Sequence, residues 1–199
     1  MKRIIFVGAQ GTGKTTMLRH FLDKPFDTIT EVVRKMAKNG MPINQNGYIE
    51  TQDMVYAEYF KLLSQQHSYV SDRGLVDVIA YTLDAQKRAF NEMREDRLQM
   101  FNLTAMQMAC LLQFNENNPD VVYCYFPIEF DVVADGVRSV DEDYRREIDD
   151  NIRTILKWAQ IDYIEIRGTE EERLATLEKL IETISEAEPI PGEGGEAAE

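Results

Sequence analysis

One short segment carries residue types and a spacing that predict phosphate chemistry. Residues 8–15 read Gly-Ala-Gln-Gly-Thr-Gly-Lys-Thr and match the pattern G-x-x-x-x-G-K-[ST] at every required position. Glycines let consecutive backbone N–H groups turn inward around phosphate oxygens, and the N-terminus of a following helix adds a partial positive charge. We therefore expect Lys14 to reach the outer phosphates of a nucleoside triphosphate and the Thr15 hydroxyl to hold Mg²⁺. The predicted nucleotide-binding residues are Gly8, Gln10, Gly11, Thr12, Gly13, Lys14, Thr15 and Thr16.

A Gly-rich turn can match this pattern by chance, so the flanking residues matter. Residues 4–7 form an apolar run that is typical of a buried strand, and residues 16–22 are typical of a helix. A strand, this loop and a helix, in that order, are the context in which the motif binds nucleotides. The sequence therefore predicts a chain that binds a nucleoside triphosphate.

Length and composition predict one globular domain. The chain has 199 residues, of which 44% are hydrophobic and 29% are charged. We expect a domain over residues 1–184, with a small lid at about residues 127–146, and a disordered acidic tail over residues 185–199. The formal net charge of −13 weakens non-specific attraction to nucleic acid and anionic lipid, although a local basic patch can still bind either.

The sequence shows no signal peptide and no apolar run long enough to span a bilayer. Its two cysteines, Cys110 and Cys124, have the spacing neither of metal ligands nor of a disulfide framework, which favours buried free thiols. These features predict a cytoplasmic protein without a membrane partner.

Strand-like and helix-like stretches alternate along the chain, which predicts an α/β fold with a parallel sheet. Thr169 and Glu172 have the spacing of a capping box, so we expect the last helix to begin there. The predicted strands are residues 2–7, 26–30, 68–71, 121–126 and 163–166. The first predicted helix follows the glycine-rich loop and ends at about residue 22. The next predicted helices are residues 31–38, 48–66, 76–88, 92–115 and 141–159, and the last begins after residue 168.

Ligands of a parallel sheet bind beyond the carboxyl ends of its strands, so polar residues there are candidates for chemistry. Asp72 follows the third strand, where phosphate-loop enzymes place a carboxylate that organises Mg²⁺. Arg73 suits the charge of a transferring phosphoryl group because its planar guanidinium stays ionised. The structural alternative is that Asp72 caps a turn or helix and pairs with Arg73.

Two more groups of residues follow strand ends. Glu31 is placed to accept a proton from a substrate hydroxyl, and Arg34 shares its helix face as a substrate-binding residue, unless the two form only a surface ion pair. Arg138, after the fourth strand, is predicted to close over the nucleotide phosphates as part of the lid. Arg145 and Arg146 fit the lid and a solvated, salt-bridged helix face equally well.

These segments together resemble a group of phosphate-loop kinases. Residues 8–16 are similar to the loop of small nucleoside and nucleotide kinases, including the thymidylate-kinase-like families. Residues 30–34, Thr-Glu-Val-Val-Arg, resemble the Glu-x-x-Arg of ribosylnicotinamide-kinase-like proteins, and residues 135–145 resemble the lid of that group. Residues 71–77, Ser-Asp-Arg-Gly-Leu-Val-Asp, resemble the acid–Arg segment of deoxynucleoside kinases. The resemblance spans residues 1–184.

The resemblance implies a five-stranded sheet in the order 2-3-1-4-5, ATP and Mg²⁺ as cofactors, and phosphorylation of a hydroxyl or phosphate. It also implies that Glu31 is the general base, Arg73 a phosphate clamp and Arg138 a lid arginine. Deoxynucleoside kinases usually have a glutamate where Asp72 stands, a departure that bears on its assignment to Mg²⁺. Whether Glu31 or Asp72 is the base is left open.

Three functions are compatible with these residues. The first is a kinase for a nucleoside, nucleotide or related small molecule. The second is a kinase for a hydroxymethylated base in DNA, like the phage hydroxymethyluracil-DNA kinases, which must unstack their target base. The third is a nucleotide-dependent switch without catalysis, although the sequence has no Asn-Lys-x-Asp motif for guanine. The preference for ATP or GTP and the oligomeric state are left open.

Overall fold

The computed structural model describes residues 3–30, 32–42, 48–131 and 141–186. Strands and helices alternate along these residues, and none of the helices combines the length and apolarity that a membrane span requires. The strands are β1 (Arg3–Val7), β2 (Asp27–Ile29), β3 (Tyr69–Ser71), β4 (Val121–Tyr125) and β5 (Tyr163–Glu165). The helices are α1 (Lys14–Arg19), α2 (Val32–Lys38), α3 (Ile49–Gln65), α4 (Leu75–Asn91), α5 (Arg97–Asn117), α6 (Glu142–Trp158) and α7 (Glu170–Glu186).

The strands form one parallel sheet in the order β2-β3-β1-β4-β5. This is the fold class and the strand order that the sequence predicted, and both are confirmed. Strand β1 lies at the centre, where Ile4 pairs with Val70 of β3 on one side and with Val122 of β4 on the other. The loop that leaves β1 therefore opens between two neighbouring strands, at the position where parallel sheets bind ligands.

Strand β1 is buried on both faces because its apolar side chains alternate between two cores. Ile5 and Val7 pack into the cluster formed with α3, α4 and α6, whereas Ile4 and Phe6 pack into the cluster formed with α1 and α7. All four side chains are at most 1% exposed. A continuous apolar run of this kind is what a central parallel strand requires, and it fixes the start of the phosphate loop.

The boundary between α4 and α5 differs from the prediction. Helix α4 continues to Asn91 and α5 begins only at Arg97, so residues 92–96 form a turn instead of the first turn of a helix. Met93 adopts a left-handed conformation with φ of 52°. Arg94 donates from Nε to Asp96 at 2.9 Å, so the pair closes the turn. The N–H of Arg94 donates to the carbonyl of Ala89 at 2.9 Å and the N–H of Met93 donates to that of Phe90 at 3.2 Å, the pattern that ends a helix on a left-handed residue.

The start of α7 confirms the predicted capping box. The backbone N–H of Thr169 donates to the Glu172 carboxylate at 2.8 Å, and the N–H of Glu172 donates to the Thr169 hydroxyl at 3.3 Å. Helix α7 extends to Glu186, two residues into the segment predicted as a tail, and the rest of that segment lies outside the described residues.

Replacing Thr169 with alanine should lower the free energy of unfolding by about 1 kcal/mol, because one N–H of the first turn loses its acceptor. Chemical denaturation measures the change. Thr183→Ala is the matched control, since this threonine lies within the helix and its hydroxyl donates to the carbonyl of Lys179 instead of accepting an N–H of the first turn. An equal loss in the two variants would contradict the capping role.

Candidate functional site

The phosphate loop, residues 8–15, has a backbone that only glycine allows at its critical points. Gly8 has φ of 151°, and a Cβ there would lie 2.4 Å from the carbonyl oxygen of Phe126. Gly13 has φ of 92° and is the N-cap of α1. These glycines let the chain reverse from β1 into α1, so that the N-terminus of the helix faces the ligand edge of the sheet.

Lys14 is buried against the loop that precedes it. Its ammonium donates to the carbonyl of Gly8, to the carbonyl of Ala9 at 2.7 Å and, more weakly, to the Thr12 hydroxyl at 3.4 Å. The side chain is 6% exposed. These carbonyl bonds satisfy a charge that burial would otherwise destabilise. The same three donors are suited to phosphate oxygens.

A hydroxyl and a carboxylate meet next to Lys14. The Thr15 hydroxyl donates to Oδ2 of Asp72 at 2.9 Å, and the Thr30 hydroxyl donates to the same oxygen at 2.7 Å. Asp72 is 8% exposed at the end of β3. Within the described part of the chain, no three His, Cys, Asp or Glu side chains form a metal-binding group. The pair therefore suits a cation that takes few protein ligands and completes its shell with phosphates and water, as Mg²⁺ does.

Asp77 is a buried acid to which the sequence analysis gave no role. Its carboxylate accepts the backbone N–H of Gly8 at 3.1 Å and that of Gly74 at 3.0 Å, so it ties the first glycine of the loop to the start of α4. Burial raises the pKa of Asp77, while Lys14 and Arg73 act in the opposite direction. The signal in the sequence was an acid three residues after Gly74 in an otherwise apolar stretch.

Arg73 and Gln10 meet at Tyr81. The Arg73 guanidinium lies 5.0 Å from the centre of the Tyr81 ring, and the Tyr81 hydroxyl donates to Oε1 of Gln10 at 2.8 Å. Burial works against the charge of Arg73, but nearby Tyr81, Tyr59 and aspartates raise its pKa above the ordinary value. Gln10 is buried, and its Nε2 has no hydrogen-bond partner among the described residues. This amide is a donor that a bound ligand can use.

A pocket adjoins Arg73 and lies between α2, α3 and α4. Its wall contains apolar side chains, such as Val33 and Val55, and the polar side chains of Thr51 and Gln52, both of which are buried. Arg73 and Tyr81 complete the side that faces the phosphate loop. Apolar and polar side chains line this pocket in similar measure, and its polar groups can hydrogen-bond to a small molecule.

Two buried arginines contact the outside of the phosphate loop. Arg145 of α6 is 1% exposed and donates to the carbonyls of Gln10 at 2.9 Å and Gly11 at 3.3 Å. Arg173 of α7 is 2% exposed and donates to the carbonyl of Thr12 at 2.6 Å. Arg146, by contrast, is exposed and lies 3.9 Å from Asp143. The sequence left the role of Arg145 open between the lid and a solvated helix face. It gave no indication of Arg173, because no local motif marks that residue.

The other predicted residues have different positions. Arg34 lies half-buried in α2, one residue after Val33 of the pocket wall, but does not itself line that pocket. Thr16 is exposed in the first turn of α1. Glu31 and Arg138 lie outside the described residues, so their predicted roles stay predictions. Cys110 and Cys124 are free thiols, and only Cys124 is fully buried.

Comparisons with known proteins agree with this architecture. No curated protein gives a significant sequence match. Among solved structures, a deoxyadenosine kinase from M. mycoides is similar with a TM-score of 0.53 and 15% identity, over 92% of this chain and 99% of the kinase. NadR in complex with NAD and AMP-PNP has a TM-score of 0.61 and 11% identity, over 97% of this chain and 52% of that one.

A second NadR structure, in complex with NR, gives a TM-score of 0.62 and 13% identity over 91% of this chain. The chain spans about half the length of the two NadR chains. At these identities the likeness shows the fold. A family model described as an AAA domain matches residues 3–173, and with the phosphate loop and the 2-3-1-4-5 sheet this match shows that the chain belongs to that family.

Proposed function

We propose that this protein is a kinase that uses ATP and Mg²⁺ and transfers the γ-phosphoryl group to a hydroxyl or phosphate of a nucleoside, nucleotide or related small molecule. The observation that carries the proposal is the Thr15–Asp72 pair, which lies beside the phosphate loop and next to the pocket that Arg73 lines. In this proposal the loop binds the nucleotide, the Thr15–Asp72 pair holds the cation, and the neighbouring pocket takes the acceptor.

The solved neighbours support the same class of reaction. The structure of the M. mycoides deoxyadenosine kinase has products dCMP and a flexible dCDP bound, and crystal structures of NadR are complexes with NR and with NAD and AMP-PNP. Each of these structures combines the same fold with a nucleoside or nucleotide ligand. We extend that class of ligand to the pocket between α2, α3 and α4.

In the proposed mechanism, catalysis comes from positioning and charge stabilisation. The amides of the phosphate loop and Lys14 hold the polyphosphate, and Arg73 stabilises the charge that spreads over the transferred group. Thr15 and Asp72 would hold Mg²⁺, which would neutralise charge on the phosphates when bound. Glu31 accepts the proton of the acceptor hydroxyl, and Arg138 closes over the phosphates. The roles of Glu31 and Arg138 rest on the family resemblance.

The acceptor can be identified with γ-labelled ATP, Mg²⁺ and a panel of nucleosides, nucleotides, nicotinamide riboside and DNA that contains hydroxymethyluracil. We expect a phosphorylated small molecule, identified by mass spectrometry. A product on the modified DNA alone would instead make the protein a DNA-base kinase. Tight nucleotide binding without any product would favour a switch and contradict the proposal.

Lys14→Ala should remove about 3 kcal/mol of transition-state stabilisation, or about a hundredfold in kcat, because a preorganised cation at the phosphates is lost. Steady-state kinetics measure the change. Lys157→Ala is the control, since this lysine lies in the last turn of α6, about 18 Å along the helix from Arg145. Turnover of Lys14→Ala within a few-fold of the unsubstituted protein would refute the assignment.

Asp72→Asn should raise the Mg²⁺ concentration needed for half-maximal activity at least about tenfold. The amide oxygen can still accept from Thr15 and Thr30, so the variant removes the charge with little change of shape. A Mg²⁺ titration of activity measures the effect. Asp120→Asn is the control, because Asp120 precedes β4 at the opposite edge of the sheet and pairs with Arg3. An unchanged Mg²⁺ requirement would remove Asp72 from the metal site.

A further inference from the structure

Every backbone carbonyl from Gly8 to Thr12 accepts a hydrogen bond from a charged side chain. Lys14 donates to the first two carbonyls, Arg145 to the next two and Arg173 to the last. The two arginines come from α6 and α7 and are among the largest fully buried side chains of the protein. A buried guanidinium is destabilising unless its donors are satisfied, and here loop carbonyls are among their acceptors.

The geometry of the peptide bond gives these contacts a consequence on the other side of the loop. In a trans peptide the carbonyl of one residue and the N–H of the next point in opposite directions. Holding the carbonyls of Gln10 and Gly11 therefore orients the N–H groups of Gly11 and Thr12 away from Arg145. In the same way, the bond from Arg173 to the Thr12 carbonyl orients the N–H of Gly13.

Arg173 is itself held in place by groups at the carboxyl edge of the sheet. Its Nη2 donates to Oε2 of Glu129 at 2.6 Å, and its Nε donates to the carbonyl of Gly168 at 3.0 Å. The guanidinium also lies 4.7 Å from the ring centre of Phe130. Burial works against the charge of Glu129, but the bonds from Arg173 and from the Gly168 N–H lower its pKa below the ordinary value. Glu129 is therefore ionised at neutral pH and anchors the arginine.

We infer that Arg145 and Arg173 are positioning residues that hold the phosphate loop in its ligand-ready shape before any nucleotide arrives, with Glu129 as the anchor of Arg173. The inference rests on nucleotide binding by this loop, which is the first step of the proposed function. A loop that is already ordered loses less conformational entropy on binding, so the two arginines increase the affinity for nucleotide without contacting it.

The test replaces Arg173 with methionine, which keeps an apolar stem against Phe130 and removes every donor. We expect ATP–Mg²⁺ affinity, measured by calorimetry, to fall about tenfold, the equivalent of one hydrogen bond from a charged donor. In the nucleotide-free protein, ¹⁵N relaxation should show lower order parameters at Gly11, Thr12 and Gly13. Affinity and order parameters equal to those of the unsubstituted protein would overturn the inference.

Arg167→Ala is the matched control, because Arg167 contacts the same Glu129 carboxylate at 3.4 Å but is 55% exposed. We expect its affinity to stay within about twofold of the original, since exposed ion pairs contribute little. An equal loss in the Arg167 and Arg173 variants would overturn the specific role of Arg173.

Glu129→Gln keeps the Arg173 guanidinium but removes the charge that anchors it. This variant therefore tests whether Arg173 holds the loop even if Arg173→Met fails to fold. We expect a smaller fall in the order parameters at Gly13 than in the methionine variant, and unchanged parameters would overturn the anchoring role. If the unsubstituted protein does not bind ATP, the proposed function fails. The order parameters still test whether the arginines hold the loop.

Discussion

The site depends on how the peptide groups of the phosphate loop are held from outside. Asp77 accepts the N–H of Gly8. The side chains of Lys14, Arg145 and Arg173 donate to the backbone carbonyls of residues 8–12. Glycine lets this segment adopt its left-handed turns, but glycine also makes an unsupported chain disordered. Charged side chains from α1, α4, α6 and α7 supply the order that the loop's own residues lack.

The sheet brings these side chains together. Because β1 is central, its carboxyl end is flanked by β3 and β4, so Asp72 and the residues after β4 reach the same edge as the loop. The alternation of apolar residues along β1 secures helices on both faces. Helices α1 and α7 cover one face, and α3, α4 and α6 cover the other. Arg173 of α7 and Arg145 of α6 therefore contact the loop from opposite faces of the sheet.

The features that sequence reasoning predicted are those encoded by neighbouring residues. The phosphate loop, the strand order and the Thr169 capping box follow from short-range patterns or from a resemblance built on them. Arg173 was missed because its carbonyl partner lies 161 residues away. The bond from Gly8 to Asp77 was missed because it spans 69 residues, although the spacing of Asp77 from Gly74 marked it as a helix cap. Thr15 and Asp72 were each predicted as metal ligands, and in the fold their side chains form a hydrogen bond. The turn at residues 92–96, by contrast, depends on a left-handed Met93 that no pattern marked.

The spread of these anchors along the chain has a consequence for synthesis on the ribosome. The glycine-rich segment is synthesised well before Arg145 and Arg173, whose contacts with it span 135 and 161 residues. Contacts between residues so distant in sequence form only after long loops have closed. After β1, β3 and β4 have been made, the loop therefore still lacks these contacts, which form only once α6 and α7 have been added.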